Sequence, residues 1–87
     1  MASYKLLIKT SAGKEIAAVA SARDRARIVG RIESLANEPR PRGCEKLAGF
    51  DDRYRVRQGN FRIVYFVDDR AGEVTIFKVG DRKEVYR

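Results

Sequence analysis

The sequence predicts an α+β fold: an N-terminal strand, a two-helix hairpin, then an antiparallel three-stranded meander, forming a two-layer single domain. Three observations predict it. Residues 54–66, YRVRQGNFRIVYF, alternate as a strand does, break at Gln58-Gly59-Asn60, and resume with β-branched and aromatic residues, which is the pattern of a hairpin. Ile28, Ile32 and Leu35 fall at i, i+4 and i+7, the spacing of one helix face. The chain has 87 residues, enough for one domain with a simple core of one sheet and one helical layer.

Taken in order, residues 4–9 form a short apolar run and read as the first strand. Thr10 and Ser11 suit the N-cap of a helix over 12–20, in which Ile16, Val19 and Ala20 keep helical spacing. Gly13 weakens that helix by about 1 kcal/mol relative to Ala. Ser21 followed by Asp24 resembles a capping box, with Asp in the place of the usual Glu or Gln, and opens a longer helix over 23–36. Val29 and Ala36 widen its apolar stripe, and Arg23, Arg27 and Arg31 line another side. Pro39 and Pro41 both stand in residues 37–43, which end the helix as a rigid loop. Residues 44–47 are compatible with a short extra strand. Residues 61–67 are apolar on both faces apart from Arg62, as for the centre of a sheet covered on two sides. Residues 68–72 make the next hairpin loop, 73–79 form the last strand, and Gly80 breaks it. No repeat or internal boundary divides the chain, so residues 1–87 are one domain.

Composition narrows the classes of function. There are 19 Lys and Arg against 12 Asp and Glu, a net charge of +7, which for so small a domain implies an acidic partner: nucleic acid, an anionic membrane or an acidic protein. The absence of His and the single Cys44 exclude a zinc cluster and a Ser-His or Cys-His triad, and neither metal nor cofactor is expected. Cys44 has no partner for an internal disulfide and reads as a semi-buried thiol. No apolar run approaches the roughly 20 residues of a membrane-spanning helix, and the N-terminal one is too short for a signal peptide. A soluble cytoplasmic protein is expected.

Within the central hairpin the only charged residues are Arg55, Arg57 and Arg62, with no acid among them. Arginines set beside aromatic rings are suited to gripping a polyanion. On the residues alone, Arg55 and Arg57 fit the solvated face of an edge strand better than a binding site, and Arg62 is compatible with a structural ion pair with Asp68 or Glu73. Tyr65 and Phe66 read as core.

Three motifs then occur in series: EPRPRGCEKLAG before the hairpin, the hairpin R-x-G-x-[FY]-R-[IL]-[VI]-Y, and the ending V-G-x-R-x-x-x-Y. Together they resemble the RelE/ParE superfamily of bacterial toxins, the toxin halves of type II toxin–antitoxin pairs, over essentially the whole chain. The resemblance implies the RelE-like microbial RNase fold, a cognate RelB-like antitoxin as partner, contact with operator DNA only through that antitoxin, and no membrane. RelE-like members cut messenger RNA in the ribosomal A site, whereas ParE-like members poison DNA gyrase. RelE-type enzymes carry basic residues on the strand before the hairpin turn, an arginine just after it, an arginine after the last strand's glycine and a tyrosine near the C-terminus. Here Arg55 and Arg57, Arg62, Arg82 and Tyr86 fill those places; the first two are lysines in the best-known RelE. The resemblance therefore implies a ribosome-dependent mRNA endonuclease, with the ribosome, its RNA and the message as partners. Arg62, Arg82, Tyr86 and Arg57 are its expected catalytic residues, and Arg53, Arg55, Arg57 and Arg31 its expected RNA contacts. A ParE-like gyrase inhibitor without nuclease activity is the alternative.

Cleavage of RNA through its own 2′-OH sets three tasks: the 2′-oxygen loses a proton, the charge growing on the phosphate is stabilised, and the 5′-oxygen gains a proton. The planar guanidinium suits the second task because it binds two phosphate oxygens at once. It suits the first poorly, since its pKa is about 12.5 or above. The titrating groups near the motif are Tyr86, Asp81, Lys83 and Glu84.

Overall fold

The computed structural model describes residues 3–49 and 52–81. The elements follow as β1 (Lys5–Ile8), α1 (Thr10–Ala17), α2 (Ala22–Leu35), β2 (Glu45–Lys46), β3 (Arg53–Gln58), β4 (Phe61–Asp68) and β5 (Glu73–Asp81). They make one five-stranded sheet in the order β1-β5-β4-β3-β2. β3, β4 and β5 form the expected antiparallel meander, β2 extends it antiparallel, and β1 lies parallel to β5. The α+β class and the short strand near Cys44 are those the sequence predicts. No helix among the described residues is long and apolar enough to cross a membrane.

Both helices cover one face of the sheet. Ile28, Ile32 and Leu35 of α2, with Ala12 and Val19, close over Tyr54 and Val56 of β3, Ile63, Tyr65 and Val67 of β4, and Val74, Ile76 and Val79 of β5. Alternate strand residues enter this core because successive side chains point to opposite faces. On the opposite face no helix of the described residues packs, contrary to the expectation of a sheet centre covered on two sides: Val64 and Phe66 on it are only half-buried, although Arg62 at one end of it is buried. Apart from Arg62 the run 61–67 is apolar on both faces because the face away from the helices carries the half-buried Val64 and Phe66.

The ends of the helices depart from expectation in instructive ways. The amide of Lys9 is tied to the Ile76 carbonyl at 2.9 Å, so β1 passes into α1 through one residue. Thr10 and Ser11 consequently lie inside the first turn, and no side chain caps it. α1 stops at Ala17, and Val19 turns into the core; the Arg25 guanidinium donates to the carbonyls of Val19 and Ala20 in the link between the helices. Ser21 does cap α2, its hydroxyl accepting from the Asp24 amide at 3.2 Å. Val29 falls outside the buried stripe, with 40% exposure.

The proline loop is bolted to the sheet by a polar network. Tyr65 donates from its hydroxyl to the Pro39 carbonyl at 2.6 Å and stacks on Tyr54 with centroids 5.8 Å apart. Arg40 lies over the Tyr54 ring, donates to its hydroxyl at 3.0 Å, and grips Asp69 in the β4–β5 turn with two nitrogens, at 3.3 and 2.7 Å. Tyr4 donates to the same carboxylate at 2.6 Å. Burial pushes the Tyr65 phenol well above its usual pKa; the nearby Cys44 thiol adds to the rise and the Arg31 guanidinium opposes it. Cys44 is half-buried there, as expected.

Candidate functional site

The open face of the sheet gathers the arginines. Residues paired across an antiparallel ladder share a face, with Cβ atoms about 4.5–5.5 Å apart. Three such rows cross the meander. The first is Arg57, Arg62 and Gly80; the second is Arg55, Val64 and Lys78; the third is Arg53, Phe66 and Thr75. Arg53, Arg55 and Arg57 alternate along β3, and Arg62 faces Arg57 from β4. The turn between them is tight: Gly59 takes φ +61°, which a two-residue hairpin needs at its first turn position.

Arg62 is only 5% exposed, and is the one charged residue in the buried class among the described residues. Arg57 and Arg62 thus set two like charges directly opposite on neighbouring strands, an arrangement that a sheet ordinarily disfavours. Gly80, at the far side of Arg62, puts no side chain on this face. Gly80 does not end the last strand as expected; β5 continues through it to Asp81. A glycine inside a strand marks a place where another group approaches closely, and Gly80 is itself buried.

The hairpin is not devoid of acids, as its own residues suggest. Glu45 of β2 stands across from Arg55 and accepts from its Nε at 3.2 Å. An ion pair of Arg62 with Asp68 or Glu73 is ruled out by distance along the strand: those acids face each other at the opposite end of β4, about 20 Å away at about 3.3 Å per residue. Arg31 does not join the cluster. It stays on α2, on the helix-covered side beside Tyr65, and its Nε is buried without a hydrogen-bond partner among the described residues. Arg82 and Tyr86, the two site residues expected at the end of the chain, lie outside the described residues, as do Lys83 and Glu84.

The same face holds residues that sequence reasoning missed. β5 contains a bulge: Val64 pairs with Lys78 but Tyr65 pairs with Ile76, so Phe77 is an extra residue. Ile76 and Val79 both enter the core, and both residues between them face the open side. Phe77 meets Phe66 edge to face at 6.2 Å, with the Arg53 guanidinium 4.8 Å and the Lys9 ammonium 5.7 Å from its ring centre. The amide of Val79, beyond the end of β1, is satisfied by the Glu15 carboxylate of α1 at 2.9 Å. A cavity of about 280 Å³, lined by Val19, Phe61, Val79 and Glu15 among others, opens between α1 and the end of β5, not in the arginine cluster.

A two-helix layer on a meander flanked by a parallel first strand, with arginines ranked on the open face, defines a toxin of the RelE/ParE superfamily. The sequence pattern of the ParE toxin family, toxins of the type II toxin–antitoxin system parDE, matches residues 2–86, and the chain belongs to that family. Among solved structures, it is similar to the isolated RelE toxin of E. coli, with 29% identity, 95% of this chain and 90% of that one covered, and a TM-score of 0.79. It is similar also to the RelE–RelB complex of Pyrococcus horikoshii (27% identity, 92% and 96% covered, TM-score 0.81). A toxin–antitoxin complex of the RelBE type from Mycobacterium tuberculosis matches at 26% identity, with 92% and 99% covered and a TM-score of 0.79. No curated protein sequence matches.

Proposed function

We propose that this toxin is a ribosome-dependent endoribonuclease that cleaves messenger RNA in the A site by attack of the RNA's own 2′-OH on the adjacent phosphodiester. The observation that carries this reading is the buried Arg62 set directly across from Arg57, beside the side-chain-free Gly80. A guanidinium held in a largely desolvated place stabilises charge growing on a phosphate more strongly than one in water. Arg62 is assigned that task, Arg57 assists it, and Arg53 and Arg55 hold the flanking backbone. From the sequence motif, Arg82 joins Arg62 on the phosphate and Tyr86 orients the nucleophile or stacks on a base.

Arginines bind and polarise but do not take protons at neutral pH. Such a site is weak on free RNA. Dependence on the ribosome fits this, because holding the reacting atoms in line contributes about 7–11 kcal/mol. A cognate RelB-like antitoxin, as in the complexes of the similar RelE toxins, covers the basic face; the pair reaches operator DNA through the antitoxin. The working compartment is the cytoplasm, where the message and ribosome are.

A second reading has its own support, since the matching family is described by the ParE toxin: a gyrase inhibitor that uses the arginine face to dock and performs no chemistry. Translation in vitro with purified toxin, with breaks in the message mapped by primer extension, tests the two. Cuts at A-site codons that vanish with Arg62→Ala support the nuclease. Intact message together with inhibited supercoiling by gyrase replaces it with the second reading.

A further inference from the structure

We propose that Phe66 and Phe77, with Arg53 and Lys9, form a second nucleotide subsite that stacks a base of the message flanking the bond cleaved at Arg62. The inference rests on the ribonuclease reading and extends it to a place on the sheet that the arginine motif does not include.

The bulge is the first support. Without it, β5 would alternate regularly and Phe77 and Lys78 would not both face the open side between the buried Ile76 and Val79. Bulges bend the chain and re-aim side chains, and they gather next to active sites. This one carries the Phe77 ring over β4 to meet Phe66. The second support is composition. Aromatic faces stack on any base, and cations beside them hold the phosphates, which is the combination single-stranded nucleic acids require. Phe77 has a guanidinium at 4.8 Å and an ammonium at 5.7 Å. The third is distance. Arg53 lies four residues along β3 from Arg57, about 13 Å at about 3.3 Å per residue. A nucleotide seated there lies beyond the one being cleaved, on the same continuous face.

A purely structural reading makes the ring pair a lid over bare sheet, with the cations lying on it through their apolar stems. That role needs only apolar area, which leucine supplies. The test therefore uses Phe77→Leu and Phe66→Leu. Ribosomes are programmed with a message whose A-site codon is 2′-O-methylated, which removes the attacking hydroxyl, and 5-iodouridine is placed at single positions on either side of the codon and, as a control, within it. Irradiation then crosslinks a base stacked on an aromatic ring. The expected result is a crosslink from one flanking position, mapped by mass spectrometry to Phe66 or Phe77, and reduced about tenfold by Phe77→Leu. A crosslink from within the A-site codon stays unchanged in the variant.

Cleavage of unmodified message by the wild-type toxin, run alongside, separates the two failures. Cleavage without any crosslink to either ring overturns this subsite and leaves the nuclease intact. Absence of cleavage overturns both. A Phe77→Leu variant that crosslinks normally but binds the antitoxin about tenfold more weakly assigns the patch to the antitoxin and overturns the subsite as well.

Discussion

β4 shows its two faces to different masters. On one side Ile63, Tyr65 and Val67 are at most 2% exposed, sealed by the helices. On the other, Arg62, Val64 and Phe66 meet the arginines of β3 and the bulge of β5, with no helix of the described residues above them. The backbone is common to both, and the period of two separates the tasks. The proposed function therefore assigns stability to the odd-numbered residues 63, 65 and 67 of this strand and activity to the even-numbered ones.

The sharpest way to break this comparison is to change two adjacent residues. Arg62→Ala is expected to reduce A-site cleavage by about 10²–10³-fold, the loss typical of removing one donor to transition-state charge, with the thermal transition retained. Ile63→Ala, next in sequence, is expected to lower unfolding free energy by about 2–5 kcal/mol in urea, against a usual total of about 5–15 kcal/mol. Cleavage by the fraction still folded should be normal. If Arg62→Ala unfolds the protein instead, the buried guanidinium belongs to the core and the division of labour fails.

A smaller effect is expected at Tyr65, where the covered face holds a polar group. Tyr65→Phe leaves the Pro39 carbonyl without the phenol that donates to it at 2.6 Å. The expected loss is about 1–3 kcal/mol of stability by denaturant titration, with message cleavage unchanged. Glu15 sharpens the comparison differently, because it reaches from the covered side to steady the bulge. Glu15→Ala removes the acceptor for the Val79 amide and is expected to lose about 1 kcal/mol, read in the same titration. Glu15→Gln keeps an acceptor and gives up only the 3.8 Å contact with Lys78, a surface ion pair of small worth, so it should retain most of that stability.

Much of the covered face was legible in the sequence, because burial writes a period into it. Ile28, Ile32 and Leu35 announce α2, and the alternation through Tyr54 and Val56 announces β3. The open face was legible only in part. Arg55, Arg57 and Arg62 stand out as cations in an apolar hairpin, but Glu45 pairs with Arg55 from a two-residue strand that local sequence barely marks. Gly80 reads locally as a breaker, whereas its strand continues because a ladder with β4 holds it. Phe77 gave no signal at all: a bulge arises from the register between two strands, and VTIFKVG reads as a regular strand by itself. Arg31 illustrates the converse, since its spacing with Arg23 and Arg27 suggests a solvated row, yet its Nε is buried in the fold, near Tyr65.

The smallest expected effect lies at Asp69, remote from the arginine face, and it tests whether the two faces are electrostatically separate. The Arg40 guanidinium, and after it the Tyr4 hydroxyl, hold the Asp69 carboxyl below its ordinary pKa. A carboxyl whose pKa is depressed in the folded state binds protons more readily when unfolded. Its contribution is complete above the unfolded value of about 3.9 and is lost as pH falls through the folded value. Wild type should therefore lose part of its margin over Asp69→Asn below about pH 4, while the two curves run parallel from there to neutrality. The carboxylate is 59% exposed, so solvent screens it and added salt should shrink the margin further. Curves that run parallel down to pH 2 would show that Asp69 has no such linkage. A change in cleavage at neutral pH would show that the network around the proline loop reaches through the sheet to the arginines, and the two faces would then be coupled.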